Sequence, residues 1–148
     1  VLAPDVGSVA MSQSYAKKAG LGFALIDKRR TAHNKAEVAN LIGNLEGKHS
    51  IIIDDMIDTA GTICNAAETA INKGAKSVCA MATHPVLSGP AVERLSNSML
   101  SKIIITDTIY LTEDKKFDKI ELISVANVFA QAIKHIVDGT SLSSMFKL

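Results

Sequence analysis

The sequence predicts an α/β fold in which a mostly parallel sheet is flanked by helices. Three observations predict it. Short, apolar, β-branched runs recur along the chain, and they alternate with longer segments whose apolar residues are spaced three and four apart. The length, 148 residues with 47% hydrophobic side chains, suffices for one core. No internal repeat, low-complexity tract or Pro/Gly linker interrupts the pattern, so residues 1–148 read as a single domain.

The elements follow in order. Residues 1–3 form an apolar run read as a buried strand, and 8–19 have helical spacing. Residues 22–26 read as the next strand. The stretch 37–45 stays open, because Val38, Leu41, Ile42 and Leu45 suit a helix while Gly43 and the short length suit a strand. Strands are then expected at 50–54, 76–83, 102–106 and 120–125, and helices at 62–73, 89–97 and 127–138, which stop at or near Gly or polar clusters. Two polar stretches, 28–35 and 111–119, are functional suspects. The chain lacks an initiator Met and enters its first strand without preamble, which suggests a piece of something longer.

Charge excludes some functions. Sixteen Lys and Arg against fifteen Asp and Glu leave a net charge of +1, so no general field draws a nucleic-acid backbone or an anionic membrane. Aromatic residues make up only 4%, too few for base-stacking platforms. Nucleic acid and membrane are therefore set aside as partners. Cys64 and Cys79 lie in apolar segments without metal-ligand spacing and read as reduced, buried thiols. No apolar run approaches the roughly 20 residues that span a bilayer and no secretory signal opens the chain, so a cytoplasmic location is expected.

The run Ile51-Ile52-Ile53-Asp54-Asp55-Met56-Ile57-Asp58-Thr59-Ala60-Gly61-Thr62 carries the strongest chemical signal. A buried strand runs into carboxylates, a turn of small residues and a helix. Such a turn collects free backbone N–H groups and the positive end of the helix dipole beside the hydroxyls of Thr59 and Thr62, which makes a phosphate cradle. Asp54 and Asp55 at the strand's end suit sugar hydroxyls or water on a metal ion. A phosphate at one end and hydroxyls at the other describe a sugar phosphate. The alternative is that Asp58 and Thr59 merely cap the helix.

This run resembles the ribose 5-phosphate loop of the type I phosphoribosyltransferase fold, in particular that of the ribose-phosphate pyrophosphokinase (phosphoribosyl diphosphate synthetase) family. Pro4-Asp5-Val6-Gly7 resembles the family's pyrophosphate loop, and Asp27-Lys28-Arg29-Arg30 its catalytic loop. The segment 83–91, THPVLSGPA, and the segment 141–146, SLSSMF, resemble further family segments, in the family's order and over essentially the whole chain. The resemblance implies a phosphoribosyltransferase type I-like fold and the C-terminal half of such an enzyme. The other half would supply most of the adenine site and a His ligand to Mg²⁺, a place that His33, His49, His84 and His135 do not take.

The implied reaction moves diphosphate from ATP to the 1-hydroxyl of ribose 5-phosphate, giving 5-phosphoribosyl 1-diphosphate and AMP. Charge then spreads over phosphoryl oxygens, so cations and positioning do the work. Lys28 and Arg30 alternate along an extended segment and by resemblance are the catalytic pair. The resemblance makes Asp5 a Mg²⁺-site residue, and places Asp54, Asp55, Asp58, Thr59, Ala60, Gly61 and Thr62 around ribose 5-phosphate. Ser141 and Ser143 become regulatory candidates, near a phosphate and ADP site between subunits. A homo-oligomer, a hexamer built from dimers, is implied too, as is an inactive chain when the other half is missing. The sequence departs from the family pattern at Ser8, where a second Gly is frequent, and at Thr31-Ala32, where Pro-Arg is frequent. His84 is expected to satisfy a local hydrogen bond, and Met81 and Met99 to sit in the core or a subunit interface. Two other readings stand beside this one: a non-catalytic regulatory subunit, and a phosphoribosyltransferase that consumes the diphosphate.

Overall fold

The computed structural model describes residues 1–29 and 38–146, with the backbone alone at 28, 29, 38 and 39. Seven strands form one sheet: β1 (Leu2–Ala3), β2 (Ala24–Arg29), β3 (Val38–Ile42), β4 (His49–Ile57), β5 (Ser77–Pro85), β6 (Leu100–Thr106) and β7 (Ile120–Ile123). Four helices connect or follow them: α1 (Val9–Ala19), α2 (Gly61–Asn72), α3 (Ala91–Asn97) and α4 (Ala126–Val137). The sheet order is β3-β2-β1-β4-β5-β6-β7, and every pairing is parallel except β2 with β3. The fold is thus the α/β architecture that the alternating pattern predicts.

The core follows from side-chain period and size. Ser50 and Ile52 of β4, Val78, Ala80 and Ala82 of β5, and Ile103 and Ile105 of β6 alternate into a buried layer. Ile63, Ala66, Ala67 and Ala70 make the buried stripe of α2, and the short alanines let that helix lie close to β4 and β5. Right-handed crossovers put α1 and α2 on opposite faces of the sheet, since β1 connects leftward to β2 while β4 connects rightward to β5.

Several expectations are corrected. Residues 37–45 hold a strand, β3, paired antiparallel to β2 from Leu25↔Ile42 to Arg29↔Val38. It stops before Gly43, whose positive φ of 107° turns the chain where a Cβ would meet Ala24 at 3.0 Å. The strand expected at 22–26 begins later and runs to Arg29, so Asp27 and Lys28 lie in β2 and not in a loop. The strand expected at 50–54 runs to Ile57, and the last one stops at Ile123. Cys64 and Cys79 are half-buried, and burial pushes both thiols up, which keeps them protonated. Met99 is exposed.

The suspect stretch 111–119 is tied into the fold. Leu111 is buried, Lys115 Nζ donates to the Val86 carbonyl (3.2 Å), and Lys119 Nζ donates to the carbonyls of Ser96 and Ser98 (2.9 and 2.7 Å). These lysines close loops around α3. By contrast α4 buries nothing: Val128, Phe129, Ile133, Ile136 and Val137 stand exposed along one stripe, and the helix packs chiefly on the 3₁₀ turn Leu142–Phe146.

Ser12, on α1, is fully buried and its hydroxyl has no hydrogen-bond partner among the described residues. Ser12→Ala removes that desolvated group at almost constant shape, and the variant is expected to gain about 1 kcal/mol in chemical denaturation.

Candidate functional site

The sheet's direction of winding reverses between β1 and β4. From β1 the chain moves to β2 on one side, whereas β4, β5, β6 and β7 succeed one another on the other side. The crevice beyond the C-terminal ends of strands at such a reversal is where open α/β sheets bind ligands. Two of the segments singled out in the sequence meet there: Asp5, just after β1, and residues 54–62, at the end of β4 and the start of α2.

The turn from β4 into α2 is only three residues long, Asp58 to Ala60. Ala60 is the N-cap residue and has φ 62°, a left-handed conformation that is strained for alanine. Among the described residues no side chain caps α2, so the alternative in which Asp58 and Thr59 serve only as caps is not what forms. The first-turn N–H groups are left available beside a recess of about 160 Å³ lined by Asp54, Ile57 and residues 58–63. Asp58 is engaged elsewhere: Ser88 Oγ hydrogen-bonds Asp58 Oδ1, Ser88 N–H donates to the Asp58 carbonyl (3.2 Å), and Leu87 N–H donates to the Ile57 carbonyl (3.0 Å). Arg94 Nη1 donates to the Thr59 carbonyl (3.0 Å). Neither contact can be read from local pattern, because Ser88 and Arg94 lie 30 and 35 residues downstream and become neighbours only when β5 pairs with β4.

Asp54 and Asp55 lie within β4, on opposite faces by strand alternation. Asp54 Oδ1 accepts the Asp55 N–H (2.9 Å). Burial pushes the Asp54 carboxyl above its usual range, and the negative charges of Asp55 and Asp5 add to this. Asp5 Oδ1 accepts from Ser8 N–H (3.1 Å) and Ser8 Oγ (3.3 Å), so Ser8, at the position where the chain departs from the family pattern, braces the carboxylate.

The remaining candidates fall as follows. Lys28 lies in β2, opposite Ala39 of β3, and Arg30 falls outside the described residues. His84 Nδ1 hydrogen-bonds Thr108 Oγ1 (2.9 Å), the local satisfaction expected of it. Ser141 and Ser143 sit at the final 3₁₀ turn, where Ser143 N–H donates to Ser141 Oγ (3.1 Å). Among the described residues no three His, Cys, Asp or Glu side chains form a metal cluster, and no helix is long and apolar enough to cross a membrane.

The family model of the phosphoribosyl synthetase-associated domain matches residues 29–147. The chain belongs to that family. Among curated phosphoribosyl synthetase relatives, it is 51% identical over 146 residues to a ribose-phosphate pyrophosphokinase from Aquifex aeolicus, covering 99% of this chain and 47% of that one. A ribose-phosphate pyrophosphokinase from Fusobacterium nucleatum is 53% identical over 146 residues, with 99% and 46% covered. The crystal structure of phosphoribosylpyrophosphate synthetase from Mycobacterium smegmatis superposes with a TM-score of 0.85 at 36% identity, covering 93% of this chain and 44% of that one. The chain thus spans about half the length of the relatives it matches, and it has the phosphoribosyltransferase-like fold.

A carboxyl whose folded-state affinity for protons is raised destabilises the fold where it is forced to ionise. For Asp54 the stability contribution therefore falls as pH rises from its ordinary range through its raised value. Asp54→Asn is expected to raise the melting temperature at neutral pH, and the gain should fade as pH drops toward the ordinary carboxylate range. Thermal melts across pH check this.

Proposed function

We propose that this chain supplies one half of a ribose-phosphate pyrophosphokinase, the enzyme that transfers diphosphate from ATP to the 1-hydroxyl of ribose 5-phosphate and releases AMP. One observation carries the reading: an uncapped helix N-terminus and a tight turn of small residues stand beside a carboxylate strand at the reversal of the sheet. In this reading residues 58–62 take the 5-phosphate through the N–H groups around Ala60, Gly61 and Thr62 and the hydroxyls of Thr59 and Thr62. Asp58 holds the turn in shape through Ser88 and does not touch the phosphate. Asp54 and Asp55 accept hydrogen bonds from the ribose hydroxyls or from water on Mg²⁺.

The residues fit Mg²⁺ in one manner. Asp5, whose carboxylate Ser8 braces, would hold the ion together with substrate phosphates and water, as Mg²⁺ is commonly bound. When bound it neutralises charge on the phosphates. Lys28 and Arg30 stabilise the transferring diphosphoryl group. By the order of its motifs the chain is the C-terminal half, and Ser141 and Ser143 lie near a regulatory phosphate and ADP site in a homo-oligomer. The relatives are matched over about half of their length.

Full-length protein tests the reading. Lys28→Ala is expected to lower ATP- and ribose 5-phosphate-dependent AMP release by about 100-fold or more with the circular dichroism spectrum retained; undiminished release would overturn the role of Lys28. Thr62→Ala is expected to weaken ribose 5-phosphate binding by about tenfold in calorimetry, and unaltered affinity would count against the cradle. Peptide mapping should place the larger missing portion before Val1; finding it after Leu148 would overturn the C-terminal placement.

A further inference from the structure

The N–H groups of a phosphate cradle serve only if their peptide planes face the right way. The peptide between Thr59 and Ala60 is planar and trans, so its C=O and N–H point in opposite directions. Arg94 Nη1 binds the Thr59 oxygen at 3.0 Å from the α3 side, where Arg94 borders a cavity with Gly61, Cys64, Asn65 and Glu68 that shares Gly61 with the recess. The Ala60 N–H is thereby directed away from Arg94, and it has no acceptor among the described residues.

This orientation is not the relaxed one. Ala60 has φ 62°, and a flip of the 59–60 peptide would move it to the negative-φ region that alanine prefers. The same flip would turn the Thr59 carbonyl, a negative dipole, into the cradle and take a donor out of it. The bond from Arg94 opposes the flip.

We propose that Arg94 is a positioning residue for the 5-phosphate: it holds the Thr59–Ala60 peptide with its N–H facing the ligand, without touching the ligand itself. This rests on the reading of residues 58–62 as a sugar-phosphate cradle. The positive charge of Arg94 behind the turn adds to the attraction for an anion, but its main effect is geometric. It acts through hydrogen bonding to a backbone oxygen that no other side chain reaches among the described residues.

Calorimetry with ribose 5-phosphate on full-length protein tests the assignment. Arg94→Ala is expected to weaken binding about tenfold, with the KM for ATP and the melting temperature unchanged. Arg94→Gln, which keeps most of the side-chain volume, gives the same comparison if the alanine variant folds poorly. Adding Ala60→Gly to Arg94→Ala should recover most of the lost affinity, because glycine adopts positive φ without penalty and no longer drives the flip. Unchanged affinity in Arg94→Ala together with a loss in Thr62→Ala would overturn the role of Arg94 and leave the cradle standing. Unchanged affinity in both variants would overturn the sugar-phosphate reading itself. A loss in Arg94→Ala that Ala60→Gly leaves untouched, or that comes with an equal rise in the KM for ATP, would overturn the peptide-orientation argument.

Discussion

The parallel pairing of β4 with β5 is the constraint on which the rest of the site depends. It runs from His49↔Ser77 to Ile57↔Pro85, so two strands of nine residues end side by side. Their shared end delivers the turn at 58–60 and the segment after Pro85 to the same place. The backbone and side-chain bonds from Leu87 and Ser88 to Ile57 and Asp58 follow from that placement, and so does the approach of α3, which starts at Ala91. Pro85, with no N–H to donate, stands at the last position of the ladder, where a missing donor costs little. Leu87 continues the chain with φ 48°, a second non-glycine residue in the left-handed region within reach of the turn. Strain at Ala60 and Leu87 is thus held by hydrogen bonds and packing on a rigid pair of strands.

Much of the fold was legible in the sequence because parallel strands buried on both faces give continuous apolar runs. Ile51-Ile52-Ile53 and Ile103-Ile104-Ile105 are such runs, with Ile52, Ile103 and Ile105 fully buried and Ile51, Ile53 and Ile104 half-buried on the other face. The four helices were legible from three-and-four spacing, with ends displaced by one or two residues. What could not be read was pairing. Residues 38–42 form an edge strand whose identity depends on β2, a partner that the local pattern does not contain. Strand β4 extends past Asp54 and Asp55 because its partner β5 extends too, whereas two adjacent carboxylates look like a strand's end when read alone.

For the candidate site, the sequence suggests a chemistry but does not reveal the supporting contacts. The small residues and hydroxyls from Thr59 to Thr62 point to a phosphate without any structure. The residues that hold this turn, Ser88 and Arg94, are ordinary in sequence and acquire meaning only through long-range contact. The same holds for Lys115 and Lys119, which lie in a polar stretch that reads as a functional suspect and instead satisfy backbone carbonyls around α3. A lysine's place in a charge run says little about whether its ammonium faces water or a peptide oxygen.

The bare stripe of α4 bears on how this polypeptide behaves in a test tube. Phe129 is 60% exposed, Ile136 66% and Val137 78%, and Leu122 and Ile123 of the adjoining edge strand are each 47% exposed. Water in contact with so much hydrocarbon makes self-association favourable at preparative concentration. Yields, apparent mass and melting curves of this 148-residue stretch should therefore depend on protein concentration and on mild detergent, and a single melting temperature would describe the preparation more than the fold.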